Sequence, residues 1–386
     1  MLRTRMWMLV SIVLLFVGTT VRAEDEDPAL RGKKLSEWID RLQNGKTVGE
    51  RQAGLLAVQL IGPRKSRKVT PALIGALREN SEEKIRAAAA RALGSIAAKA
   101  RLDDDVPIEK IRDALAATLR TDKTPAVRRA AAKALGEMKV RAQGAVAILA
   151  LALKDADAAT RNEAASSLHQ LGKDAEDALP DLQTALKDAK LERLMRIHCA
   201  HALGRIGSSQ AVPTLRDIVA EGKNDSELRR ACAEALGQLG KEASESVPVL
   251  AAALTAKDSD LGLRRSVAEA LDRMGSEAHA AAPALRTALK DEDQFVRSLS
   301  LHTLSQMGRE LGDQRNAAIL GILAAMDDNV LEVRVTAIEA LGNLGADNLG
   351  DQSKAVVERL TAATRDPQKA VGEAARVALK KLQGSP

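Results

Sequence analysis

Apolar residues recur along this chain at helical spacing, and the helical segments themselves recur with a fixed period. One segment reads Arg128-Arg129-Ala130-Ala131-Ala132-Lys133-Ala134-Leu135-Gly136-Glu137-Met138. Val127, Ala131, Leu135 and Met138 fall on one face of an α-helix. The form returns at Arg86, Arg196, Arg229 and Arg334. Looser copies start at Arg51, Arg161, Arg264 and Arg297, and a last one starts at Gly372, where the arginine is missing. Successive starts lie 33 to 42 residues apart, so the chain is a repeat array with a period near 35.

Counting from each arginine as zero, position +7 is Val58 in the first copy and leucine in the rest. Position +10 is always Ile, Leu or Met, and +6 is always Ala, Ser or Thr. Small residues at +3 and +6 let a neighbouring helix approach closely. Glycine at +11 (Gly172, Gly207, Gly240, Gly275, Gly308, Gly345) is expected to stop the helix in the left-handed conformation. A second apolar-periodic segment precedes each copy, as in Val247–Leu254 and Ala282–Leu289. Pro71, Pro180, Pro213, Pro248 and Pro283 are placed near its start, where a missing N–H costs nothing. Asp157, Asp225, Asp260 and Asp293, four residues before the arginine, are placed to cap the following helix. Each unit is therefore helix–turn–helix. One pair cannot bury its own apolar face, whereas stacked pairs can. The expected fold is all-α, a solenoid of about ten stacked helix pairs.

The signature Val/Leu-Arg-x-x-Ala-x-x-Ala-Leu-Gly-x-Leu-Gly resembles HEAT repeats, specifically the short prokaryotic kind found in phycobilisome-lyase-like proteins, over roughly residues 35–384. The resemblance implies a right-handed superhelix with the second helix of each pair on the concave side. It also implies that the position-zero arginines bond to acidic turn residues and tie neighbouring units together. The apolar face then directs +1 and +5 outward, with +9 on the flank. Candidate partner-binding residues on this stripe are Arg129, Lys133, His201, Arg205, Arg230, Glu234, Arg265, Glu269 and Arg273, with Ile197, His302 and Glu339 continuing it. The packing positions repeat while the stripe varies, as expected of a constant scaffold carrying an individual recognition surface.

Composition narrows the function. The 386 residues contain 45% hydrophobic and 28% charged residues, a folded rather than disordered balance. Aromatics are 1%, with no Tyr, so a stacking platform for single-stranded nucleic acid is not expected. Two cysteines make neither a disulfide framework nor a four-thiolate zinc site. Cys199 and Cys232 occupy the small +3 position and read as buried thiols standing in for alanine. His198 and His201 share a helix face without a third ligand nearby. There is no Gly-x-Ser-x-Gly, P-loop or dinucleotide fingerprint, nor a His-Glu dipeptide. The expectation is a non-catalytic protein without metal or cofactor.

Charge and the N-terminus add a location. Arg3 and Arg5, an apolar run from Met6 to Val17, and small residues at Val21 and Ala23 form the pattern of a secretory signal peptide over residues 1–23. Residues 24–34 read as an acidic and polar leader and 35–386 as one solenoid. The remainder, from Glu24, has no other long apolar run, so the product is expected outside the cytoplasm, periplasmic or secreted, and monomeric. Formal net charge is +6, unevenly spread: residues 41–101 hold 13 basic and 4 acidic side chains. Much of that excess is the cluster Arg64-Lys65-Ser66-Arg67-Lys68. The leading function is a protein-binding scaffold or assembly factor. The alternatives are attachment to an acidic surface polymer or membrane through that cluster and, behind it, a chromophore-lyase-like enzyme.

Overall fold

A computed structural model describes residues 27–61, 66–100, 106–222 and 225–384. The signal pattern at 1–23, Arg64–Lys65 of the basic cluster, and Asp103–Asp105 lie outside them. Among the described residues, twenty α-helices form ten pairs. In chain order these are α1 (Leu35–Asn44) with α2 (Val48–Ile61), α3 (Ser66–Glu79) with α4 (Glu83–Lys99), α5 (Ile108–Thr121) with α6 (Pro125–Glu137), α7 (Val146–Ala152) with α8 (Ala158–Leu171), and α9 (Leu179–Lys187) with α10 (Arg193–Ile206). The stack continues with α11 (Val212–Ala220) and α12 (Ser226–Leu239), α13 (Val247–Thr255) and α14 (Leu261–Met274), α15 (Ala282–Ala288) and α16 (Gln294–Met307), α17 (Arg315–Ala325) and α18 (Leu331–Leu344), and α19 (Ser353–Ala363) and α20 (Lys369–Leu382). The fold is the expected all-α solenoid.

The repeated positions make the core. Ile85, Ala89, Leu93 and Ile96 of α4 are at most 4% exposed, and Val127, Ala131, Leu135 and Met138 of the next unit at most 1%. From α4 on, second helices pack on one another more extensively than first helices do, so they form the closely packed inner layer of the stack. The close approach depends on pairing +8 of one unit with +6 of the next. A Cβ on Gly136 would lie 2.9 Å from Ser167 Cα, and one on Gly237 would lie 2.9 Å from Ala270 Cα. Asp272 replaces this glycine in α14, and there the interface becomes polar. Its Oδ1 sits 2.6 Å from His302 Nδ1 and accepts from Thr303 Oγ1 at 3.1 Å.

Several local features depart from the sequence reading. Residues 29–34, expected as part of a leader, form a hairpin of β1 (Ala29–Leu30) and β2 (Lys33–Lys34) around Arg31 and Gly32, both at positive φ. The hairpin docks on α1, where the Trp38 indole N–H donates to Leu30 O at 3.1 Å. Pro180, Pro213, Pro248 and Pro283 do open their helices, but Pro71 lies inside α3. The +11 glycines all have positive φ, yet only Gly207 is left-handed helical; Gly240, at φ 58 and ψ −130, is typical of Gly172, Gly275 and Gly308, and Gly345 is at φ 77 and ψ 155, backbone states glycine alone adopts readily. From there the chain enters an unpredicted 3-10 turn, as at Gly172–Ala178 and Gly240–Ser246, whose central Ala175 and Ala243 are fully buried.

Candidate interaction surface

The most numerous basic set, the position-zero arginines, is occupied inside the stack. Arg86 Nε and Nη2 donate to Asp122 of the next turn at 2.8 and 3.1 Å, while Nη1 donates to the carbonyl of Asn80 in its own turn. Arg128 repeats this with Asp155 at 2.8 and 2.7 Å and the carbonyl of Asp122, and Arg297 with Asp328 and the carbonyl of Asp291. Each aspartate thus serves two arginines, one through its side chain and one through its backbone. Burial opposes ionisation of Asp122 and Asp155, but the arginine bonds and the N–H two residues on win, holding both carboxyls below their usual range. The aspartates four residues before the arginines are the caps expected: Asp157, Asp260 and Asp293 accept from N–H groups three residues on, and Asp225 from Glu227.

The ladder changes in the middle of the stack. Lys190 stands where an aspartate would receive Arg161, which bonds Glu192 instead. Arg196 turns back to the carbonyl of Leu186 at 2.8 Å, and Arg229 divides itself between the carbonyl of Val219 at 3.0 Å and Asp258 at 3.2 Å. Here the +8 position of α8 is His169, whose ring centroid lies 5.9 Å from that of His201. Desolvation lowers the pKa of both His169 and His198 and favours their neutral forms. No group of three or more His, Cys, Asp or Glu suited to a metal occurs among the described residues. Cys199 and Cys232 are free and fully buried, and burial pushes the Cys199 thiol up to about 12, which makes it inert.

The nine candidate residues separate into two groups. Arg129, Lys133 and Arg205 are exposed on the inner side and have no side-chain hydrogen bond or ion pair among the described residues. The rest largely neutralise one another. Glu234 lies 3.3 Å from His201 Nε2 and 3.6 Å from Arg230, and accepts from Ser266 Oγ at 3.0 Å. Arg273 bonds Glu269 at 2.5 Å. Arg265 is held by Asp293 at 3.0 and 2.5 Å and lies 4.9 Å over the Phe295 ring, so it ties α14 to the start of α16. Ile197, assigned to the stripe, is 7% exposed and belongs to the core.

The two exposed cations on α6 line a cleft of about 520 Å³ between α4, α6 and α8. Lys84 and Arg91 of α4 face it as well, and the sequence reading passed over both. Their copy of the repeat does place Arg91 at the outward +5 position, which was the available signal. Glu163 sits half-buried in the same cleft. Desolvation raises its pKa against the pull of Lys133 and Arg129.

Models of HEAT repeats match residues 112–195, 146–232, 191–271 and 219–305, and a HEAT-like repeat model matches 83–138. The chain belongs to the HEAT-repeat family. Among solved structures, this HEAT solenoid is similar to an engineered protein at 20% identity, covering 91% of this chain and 99% of that one, with a TM-score of 0.56. It is also similar to Kap95p, from a study of its binding to RanGDP, at 13% identity and a TM-score of 0.57. There it covers 90% of this chain and spans only 50% of Kap95p. These likenesses speak to the fold. No curated protein matches the sequence significantly.

Proposed function

We propose that this HEAT-repeat protein is a non-catalytic protein-interaction scaffold or assembly factor, acting outside the cytoplasm as a monomer. The observation that carries the reading is the inner layer of second helices. Its core positions are held nearly constant while its outward positions vary from unit to unit and most of them stay accessible. The fold is typical of interaction scaffolds, and the fold family generally works without catalysis. The three-part pattern at 1–23 supports export, with a mature chain starting at Glu24. The test is capture from the native exported fraction by the tagged mature chain, with partners identified by mass spectrometry. The reading predicts a protein partner retained in moderate salt, and an N-terminus reading Glu24-Asp25-Glu26-Asp27 on the exported protein. Capture that vanishes once surface charge is screened, with no protein retained, would favour attachment through residues 64–68 instead.

A further inference from the structure

The inner face carries charge of two kinds. On α12 and α14, Arg230, Arg265 and Arg273 each have a carboxylate in reach. On α4 and α6, Lys84, Arg91, Arg129 and Lys133 converge on one cleft of about 520 Å³ and have no side-chain hydrogen bond or ion pair among the described residues. The contrast also appears in the chain's charge: residues 41–101 are strongly basic and contain the two α4 cations. Between the cations the cleft is lined by Ala87, Ala126 and Ala130, a small apolar strip. Lys84 and Arg91 lie two turns apart on α4, about 10 Å, and Arg129 and Lys133 one turn apart on α6. We infer that this cleft is the docking site for an acidic peptide segment of a partner protein, with carboxylates reaching the four cations and small apolar side chains lying on the alanines. The inference rests on the scaffold reading and specifies its partner and place.

Two observations favour a peptide over a nucleic acid or another uniform polyanion. Glu83 and Glu163 are interleaved with the cations, so a backbone carrying a charge at every step would set some of them against a carboxylate. A peptide can place neutral or basic residues opposite these positions. The cleft also contains no aromatic side chain on which a base could stack. Exposed charges of this kind govern encounter and register more than raw affinity, so an isolated segment should bind moderately and in a salt-sensitive way, while the whole partner, with further contacts along the inner face, is retained in moderate salt.

The test is fluorescence anisotropy of a short dye-labelled peptide alternating glutamate with alanine, titrated with the full-length mature chain at low salt. The wild type should bind. Changing Lys84, Arg91, Arg129 and Lys133 together to Glu should weaken binding by about tenfold or more, and changing all four to Gln should give a smaller loss. Arg230→Glu with Arg273→Glu should bind within about twofold of wild type, since those charges are already paired. Circular dichroism should show all variants folded, the substituted side chains being exposed; if the glutamate variant fails to fold, the glutamine variant decides. Equal peptide binding by the wild type and the glutamine variant would overturn the inference. So would a single-stranded oligonucleotide of equal charge competing as well as unlabelled peptide. Capture from the native exported fraction separates the two claims. A protein partner captured equally by wild type and both cleft variants would sink the acidic-cleft inference and leave the scaffold standing. Failure of the wild type to capture any protein would sink the scaffold and the inference with it.

Discussion

Taking away the guanidinium of Arg86 would leave Asp122 without its directly bonded countercharge, in a place where only 11% of that side chain meets solvent. Breaking one partner of such a pair costs more than the pair is worth, because a charge is left behind without compensation. We predict that Arg86→Ala lowers stability at neutral pH by roughly 3 kcal/mol, read as the shift in urea unfolding midpoint. The pH dependence has a definite sign. In the wild type the Asp122 carboxyl titrates below its usual value, so its stabilisation is present above about pH 4 and is lost as the pH falls through that range. In the variant, burial, the bonds from Thr124 and the charge of Arg128 are what act on Asp122. The deficit should then be greatest near neutrality and should shrink on acidification as the stranded carboxyl takes up a proton. A deficit that stays constant down to acid pH would mean the ladder arginines act through packing alone. By contrast, exposed pairs such as Arg273 with Glu269 should contribute little in a similar comparison.

At the scale of helices, the stack is set by what does not fit between them. Gly136 meets Ser167 with no room for a β-carbon, whereas Gly75 in α3 has nothing within 4 Å of where one would be built. Gly136→Ala should therefore destabilise by about 1–3 kcal/mol through overpacking, and Gly75→Ala should stabilise by up to about 1 kcal/mol through helix propensity. Thermal unfolding of the two single variants checks the pair, and equal effects would mean the α6–α8 spacing is adjustable. The helices, their pairing and the aspartate caps were legible in the sequence because packing imposes the same residue types in every unit. The +6 small residues were legible too, but their +8 counterpart was visible only as part of the Leu-Gly signature, since its role depends on the register between units. The 3-10 turns were missed although Gly-x-Glu/Asp-Ala recurs at 172–175, 240–243 and 275–278, because they follow a glycine read only as a stop. Lys84 and Arg91 were missed for the opposite reason. Recognition positions are individual to each unit, so periodicity says which way they face and nothing about whether their charge is free.

Across the whole molecule, stacking gives one continuous inner surface from helices that contact mainly their neighbours. A partner lying along it would meet core-fixed helices with variable outward side chains, and the two halves would offer it different things. The half built on α4 and α6 has cations around a cleft that make no ion pair among the described residues, and the half built on α12 and α14 has closed ion pairs. The outer layer contains a larger groove, about 790 Å³, bordered by Lys257, Arg286 and Lys290. Arg286 donates there to Gln314 at 2.9 Å, and Arg264, also in its lining, is engaged in the ladder. The central claim is that recognition belongs to the inner layer and begins in its N-terminal half. Hydrogen-exchange mass spectrometry of the full chain, free and loaded with its captured partner, measures this directly. The account predicts slowed exchange concentrated in α4, α6 and α8, with the outer helices α5, α7 and α15 unchanged. Protection confined to the outer helices, or to residues 66–68 at the start of α3, would contradict it.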